Sequence, residues 1–211
     1  PEEPRRVAEA SRALGLRHVV LTSVNRDDLP DQGSKQFASA IGEIRALSPE
    51  ASIEVLTPDF RGDEACIDRV ADAAPEVYNH NLETVARLYP NVRIGARYRR
   101  SLSLLARVKE RRPDLLTKSG VMLGLGETRR ELVELMRDLR DVGVDALTLG
   151  QYLRPTLRHL PVQRFLEPAE FAELRDFAVG LGFRHVESGP LVRSSFRADT
   201  LVDLLSPREG P

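Results

Sequence analysis

Two spacings of apolar residues take turns along the chain. Val7, Ala8, Ala10 and Leu14 recur at helical spacing in "RRVAEASRALG", which stops at Gly15, and "RHVVLTSV" then runs apolar and β-branched. The same exchange predicts helices near 35–47, 63–73, 82–88, 101–111, 129–141 and 168–180. Among these lie the short strands "SIEVLT", "EVYNHN", "LLTKSGVMLGL", "ALTLGQYL" and "RHVESG". Six strands separated by helices imply a parallel sheet covered by helices.

A barrel and a doubly wound sheet differ in where their polar residues gather. Thr22 and Ser23, Thr57 and Asp59, Asn79 and Asn81, Glu127 and Thr128, Gln151 and Ser188 all fall at the C-terminal ends of strands. A ring of mixed polar chemistry fits a barrel mouth, whereas a doubly wound sheet collects its site at one switch point. The expected fold is α/β, a TIM-type (β/α) barrel or part of one, in a single domain over 1–211. "RPTLRHLPVQRFLEP" is the longest irregular connection, and long loops after barrel strands usually serve the site.

Charge and cysteine usage narrow the partners. Lysine plus arginine, 31, nearly cancels aspartate plus glutamate, 32, so neither a nucleic-acid footprint nor a polybasic membrane stripe is supported. No apolar run approaches the length of a membrane span, and Cys66 is the only cysteine, which excludes an intrachain disulfide and fits a reducing, cytoplasmic setting. The chain enters a helical pattern directly after Pro-Glu-Glu-Pro, and the expectation is that a segment precedes it.

Candidate chemistry concentrates in three stretches. In "TKSGVMLGLGETRRE", Thr128 and Glu131 fit a capping box, while Gly124 and Gly126 let backbone approach a ligand. Lys118 has no such local explanation: a lysine in a buried strand must snorkel, pair or act, and a Schiff-base lysine of a barrel lyase would sit there. In "YNHNLET", strand alternation sends Asn79 and Asn81 to one face, where they could read one polar ligand together, and His80 to the other. Asn81 could equally cap the next helix, with Glu83 in its first turn. Asp27, Asp28 and Asp31 read as turn chemistry, and Cys66 as a packing thiol. The third stretch, "SGPLVRSSFRAD", sets Ser194 and Ser195 between Arg193 and Phe196 beyond a Gly-Pro turn.

Together, "VVLTSVNRDDLPD", "IEVLTPDFRG", "NHNLETVARLYP", "TKSGVMLGLGET", "LGQYLRPT", "HLPV" and "SGPLVRSSFRAD" resemble the lipoyl synthase family of the radical S-adenosylmethionine (SAM) superfamily, in order from about residue 3 to about residue 199. The resemblance implies a partial (β/α) barrel and two 4Fe-4S clusters, one binding and cleaving SAM and the other donating sulfur. It implies insertion of two sulfurs at C6 and C8 of an octanoyl-lysine on a lipoyl-carrier domain, such as that of a 2-oxoacid dehydrogenase E2 or a glycine cleavage H protein. Iron-sulfur cluster carriers follow as further partners.

Residue by residue, Arg193, Ser194 and Ser195 match the family's R-S-S-Y, which makes Ser195 the implied cluster ligand within a C-terminal segment at 185–199. Phe196 departs from the tyrosine. Arg193 is implied to steady the cluster or a nearby anion. Gly120, Met122, Gly124 and Glu127 match a G-x-I-x-G-x-x-E strand that helps hold adenine, with Lys118 lining the same site. Thr22, Ser23, Asn79 and Asn81 are the implied contacts of the methionyl part and its neighbours. The family's six cluster cysteines have no counterpart, since Cys66 matches none of them. The expectation is a portion of the family's barrel without the first strand, the radical-cluster loop or the auxiliary-cluster segment, inactive alone. A non-catalytic remnant that still binds octanoylated lipoyl domains, or a lyase using Lys118, would be the alternatives.

Overall fold

The computed structural model describes residues 2–203. Six strands form one parallel sheet: β1 (His18–Thr22), β2 (Ser52–Leu56), β3 (Val77–Asn79), β4 (Leu116–Leu123), β5 (Ala146–Gln151) and β6 (His185–Gly189). Each strand pairs with the next in chain order. An unbroken sequential order is the winding of a (β/α) barrel; a doubly wound sheet would reverse direction. Among the described residues β1 and β6 do not pair with each other, so the barrel is partial.

Helix α1 (Glu3–Ala13) precedes β1, helices α2 (Ser34–Leu47), α3 (Glu64–Asp72), α4 (Tyr89–Val92), α5 (Tyr98–Arg111), α6 (Arg129–Asp141) and α7 (Pro168–Gly180) connect the strands, and α8 (Ala198–Asp203) follows β6. Alternation divides each strand between two environments. Ile53, Val55, Tyr78, Val121, Leu123, Leu147 and Leu149 join Ile41, Ile44, Leu105, Leu135, Met136 and Phe171 of the helices in the outer core. Val77, Leu116 and Ala146 face inward and close the barrel floor with Leu201 of α8. The capping box read at Thr128 is present: its side chain accepts from the Glu131 amide, and the Glu131 carboxylate accepts from the Thr128 amide.

One predicted helix is not there. Over 82–88 the only helical turn is a single tight one, Ala86–Leu88. Glu83 bridges to Val121 of β4, its amide donating to the Gly120 carbonyl at 2.9 Å and its carbonyl accepting from Met122 at 2.8 Å. Asn81 is therefore not a helix cap; main-chain pairing with β4 outcompetes local helix propensity.

Above the floor lies a fully enclosed ion pair. Lys118 Nζ meets both carboxylate oxygens of Glu54, at 3.1 and 3.0 Å, and the two residues are 2% and 0% exposed. Asn79 of the intervening strand donates to Glu54 Oε1 at 2.8 Å. Breaking a buried pair from one side strands a charge and costs about 3–5 kcal/mol. Lys118→Met is therefore expected to lower the unfolding free energy by about that amount in urea titrations, and Glu54→Gln/Lys118→Met to recover most of it. A single-variant loss below about 1 kcal/mol would show that this pair does not hold the barrel interior.

Candidate functional site

The C-terminal ends of β1 to β5 enclose a cleft of two joined cavities, about 380 and about 170 Å³, which share Leu56, Asn81 and Glu83. Gly120, Met122, Thr148, Gly150, Gln151, Arg193 and Ser194 line the larger, with Leu153 and Pro155 of the loop after β5. Thr22, Ser23, Asn25, Thr57, His80 and Arg93 line the smaller. The combined size suits a small organic ligand or cofactor.

Glu83 is the centre of this arrangement. Its backbone φ of 66° is a left-handed conformation held in place by the two hydrogen bonds to β4. Such strain persists only where the surroundings over-determine it, and it clusters at binding sites. Its carboxylate accepts from Asn81 Nδ2 at 3.1 Å, and burial pushes the carboxyl above its ordinary value. Asn81 Oδ1 is buried and has no hydrogen-bond partner among the described residues. Arg93 secures the segment by donating to the Asn81 carbonyl at 2.8 Å. A carboxylate and a carboxamide oxygen side by side can accept from paired hydroxyls or from an ammonium group.

Glycines make the room. A Cβ on Gly120 would lie 2.8 Å from Asn81 Oδ1 and 2.9 Å from Thr148 Oγ1, so glycine keeps these polar atoms at the cleft wall. A Cβ on Gly150 would collide with the Val192 carbonyl oxygen, and its absence lets the chain after β6 cross close over the end of β5. That crossing brings Arg193 and Ser194 to the cleft.

The other residues singled out in the sequence divide clearly. Thr22, Ser23, Asn81, Met122 and Arg193 line the cleft. Asn79 and Asn81 do not share a ligand-facing wall, because β3 ends at Asn79, whose side chain lines neither cavity and donates to Glu54. His80 points the other way, as alternation predicts, bonding the Thr57 carbonyl and Ser101 Oγ at 2.9 Å each; burial lowers it to about 4 and keeps it neutral. Lys118 lies beneath the cleft in its ion pair and lines neither cavity, which corrects both the site-lining and the Schiff-base readings: no amine is accessible to a carbonyl substrate.

Gly124 and Glu127 shape a loop next to the cleft and do not line it. The Glu127 carboxylate accepts from the Gly124 and Leu125 amides at 2.6 and 2.9 Å, and Gly124 adopts a φ of 96° in contact with Arg164 and Gln151. Gln151 in turn donates to the Leu123 and Arg164 carbonyls and accepts from the Leu166 amide, each at 3.0 Å, which pins the loop after β5. Ser195 faces a different crevice, with Arg17, His18, Val20 and Asp199. The sole cysteine, Cys66, is buried on α3 and donates to the Asp31 carbonyl at 3.3 Å. This donor set does not fit an iron-sulfur cluster, which needs several converging thiolates.

Sequence reasoning passed over Glu83, Arg93 and Thr148. In sequence Glu83 reads only as a residue of a helix's first turn, because its bridge to β4 is non-local.

Comparison with known proteins agrees with this fold. Residues 1–139 match the radical SAM superfamily. The lipoyl synthase of Rubrobacter xylanophilus is 58% identical over 197 residues, covering 93% of this chain and 61% of the relative. That of Caldanaerobacter subterraneus subsp. tengcongensis is 56% identical over 203 residues, covering 96% of this chain and 71% of the relative. The Thermus thermophilus lipoyl synthase is 58% identical over 200 residues, 94% of this chain and 62% of its own length. The chain thus spans between 61% and 71% of these relatives. In fold alone it is similar to methylornithine synthase (TM-score 0.62, 15% identity, 92% of this chain and 64% of that one) and to Streptococcus suis SuiB (TM-score 0.66, 11% identity, 100% and 47%). On these matches the chain belongs to the lipoyl synthase family of the radical SAM superfamily.

Proposed function

We propose that this chain supplies the SAM-binding barrel of a lipoyl synthase, an enzyme that inserts sulfur at C6 and C8 of an octanoyl chain on a lysine of a lipoyl-carrier domain. The observation that carries the reading is the unpaired buried Asn81 Oδ1 beside the Glu83 carboxylate, in a cleft left open by Gly120. Asn81 and Glu83 accept from hydroxyl or ammonium groups of the cofactor. Met122 offers an apolar wall against which a flat base packs, and Thr22 and Ser23 offer hydroxyls at the smaller cavity. Bound there, SAM supplies the radical chemistry of the superfamily.

Arg193 and Ser194 close the cleft from the C-terminal side, where a guanidinium can hold an anionic group of cofactor or substrate. The family resemblance gives Ser195 as a ligand of the sulfur-donating cluster, and the thiolates of both clusters come from cysteines this chain does not carry. Partners under this reading are octanoylated lipoyl-carrier domains, with iron-sulfur carriers loading the clusters.

Isothermal titration of the chain with SAM tests the cleft. Asn81→Ala and Glu83→Gln are each expected to weaken SAM binding by about tenfold or more, the loss of one hydrogen bond to a charged or buried partner. Unchanged affinity in both would place SAM elsewhere.

Glu83→Gln carries a second expectation with the opposite sign. Because burial raises the Glu83 carboxyl above 4.5, its contribution to stability is present below that value and is lost as pH rises through the folded-state value. The variant should melt higher than the wild type at pH 7, with the gap closing at pH 4. A gap independent of pH would remove the buried-carboxylate account. For the reaction, a lipoyl synthase in which this chain replaces the corresponding barrel segment, with its clusters loaded, should convert an octanoylated lipoyl domain to the lipoyl form with SAM and a reductant, followed by mass spectrometry. Failure to add sulfur under those conditions would overturn the assignment.

A further inference from the structure

After β2 the chain turns on three successive residues with positive φ, Phe60 at 44°, Arg61 at 49° and Gly62 at 82°. Only the glycine adopts this region without strain, so the surroundings must enforce the turn. Phe60 is 1% exposed and packs edge-on against Phe37 at 6.3 Å. Burying Phe60 turns Arg61 outward, and Asp59 fixes the turn by accepting from the Arg61 amide at 3.0 Å.

Arg61 faces a crevice of about 470 Å³ whose other walls carry Arg93 and Arg100. Against three guanidinium groups stand two carboxylates, Asp27 and Asp59. Asp59 is already engaged by Arg100 at 3.0 Å. Arg93 is held by the Asn81 carbonyl and lies 5.7 Å from the centre of the Tyr89 ring. Arg61 has no acidic partner among the described residues. Guanidinium groups pre-positioned in a crevice select carboxylates, which they can engage with two parallel hydrogen bonds.

The crevice is not separate from the cleft. Asn25 and Arg93 line both it and the smaller cavity, and that cavity shares Asn81 and Glu83 with the larger one. A ligand can therefore lie across the arginines while one extended side chain reaches inward past Asn25. At the rim Ile94 is 87% exposed, an apolar contact suited to a macromolecular surface.

We propose that this arginine crevice docks a carboxylate-rich segment of the protein whose acylated lysine enters the cleft. The proposal rests on the reading of the chain as a lipoyl synthase barrel, in which the octanoyl-lysine must reach the SAM-binding cleft, and it adds which surface recognises the carrier and by what chemistry. Electrostatic complementarity of this kind sets partner choice and encounter rate, and it weakens with salt.

Fluorescence anisotropy with labelled peptides tests it on the full chain in the presence of SAM. Three peptides are used: an octanoyl-lysine flanked by glutamate and aspartate, the same with glutamine and asparagine flanks, and the acidic peptide with unmodified lysine. Wild type is expected to bind the acidic octanoyl peptide about tenfold tighter than its amide counterpart. Arg61→Glu should abolish that preference and Arg61→Gln reduce it, with SAM affinity and melting temperature unchanged in both. Equal affinity of wild type for acidic and amide peptides, or a preference that survives Arg61→Glu, overturns the proposal. So does equally tight competition by inorganic phosphate, which would make the crevice a small-anion site. If instead the acidic peptide binds equally well without its octanoyl group, the crevice stands and the acyl-lysine reading of the cleft falls.

Discussion

A parallel sheet that curls without closing has to fill its own interior, and here the buried pair of Lys118 and Glu54 is the constraint that filling must satisfy. The two residues lie on β4 and β2, so their ion pair spans the intervening β3, whose Asn79 donates to the same carboxylate. Three successive strands are thus tied at one level. A charge at that depth is tolerable only when paired, and a slip of one residue would turn Lys118 toward the helix layer. The register of β2, β3 and β4 is fixed by this constraint, and the heights of the residues above follow from it. Gly120 and Met122, two and four positions beyond Lys118, reach the cleft because Lys118 is held at its floor.

The interior is therefore electrostatically layered. At the bottom, Val77, Leu116, Ala146 and Leu201 exclude water. Around the ion pair, burial lowers His18 and His185 against the opposing pull of Glu54 and Glu187 respectively, and Lys118 adds a smaller push downward on both. Neutral histidines leave the pair without a surplus charge nearby. At the mouth the balance reverses: Glu83 and Asn81 Oδ1 are crowded together with less bonding than their chemistry can use. Stability is concentrated in the lower layer and binding capacity in the upper one. Separating the two lets the upper layer keep a strained backbone at Glu83 without loosening the sheet.

Much of this was legible in the sequence, for identifiable reasons. The strand and helix alternation was readable because the inner strands β2 to β5 bury both faces, and the barrel was readable because polar residues gather at the C-terminal strand ends. The capping box at Thr128 was readable because its two hydrogen bonds are local. What failed was non-local. The stretch over 82–88 has helix-like spacing, and its pairing with β4 at Glu83 keeps it from coiling before Ala86. Lys118 looked reactive because its partner Glu54 lies 64 residues away in the chain. Glu127 matched a ligand-binding motif, yet its carboxylate closes its own loop on Gly124 and Leu125. A motif gives the residue and its spacing, but not which acceptor its hydrogen bonds reach first.

The same limit applies with most consequence at "RSSF". Val192 crosses over Gly150, and the Phe196 amide then donates to the Arg193 carbonyl at 2.9 Å, so the chain reverses within four residues. A turn that tight sends neighbouring side chains apart. Arg193 and Ser194 face the cleft, while Ser195 faces Arg17 and His18 on the side of β1. The serine that the family resemblance assigns to the cluster and the serine that a substrate in the cleft would meet are consecutive in sequence and separate in space. Two adjacent hydroxyls at this point are thus not redundant: the turn gives each its own surroundings, and exchanging their roles would require the backbone to reverse differently over β5.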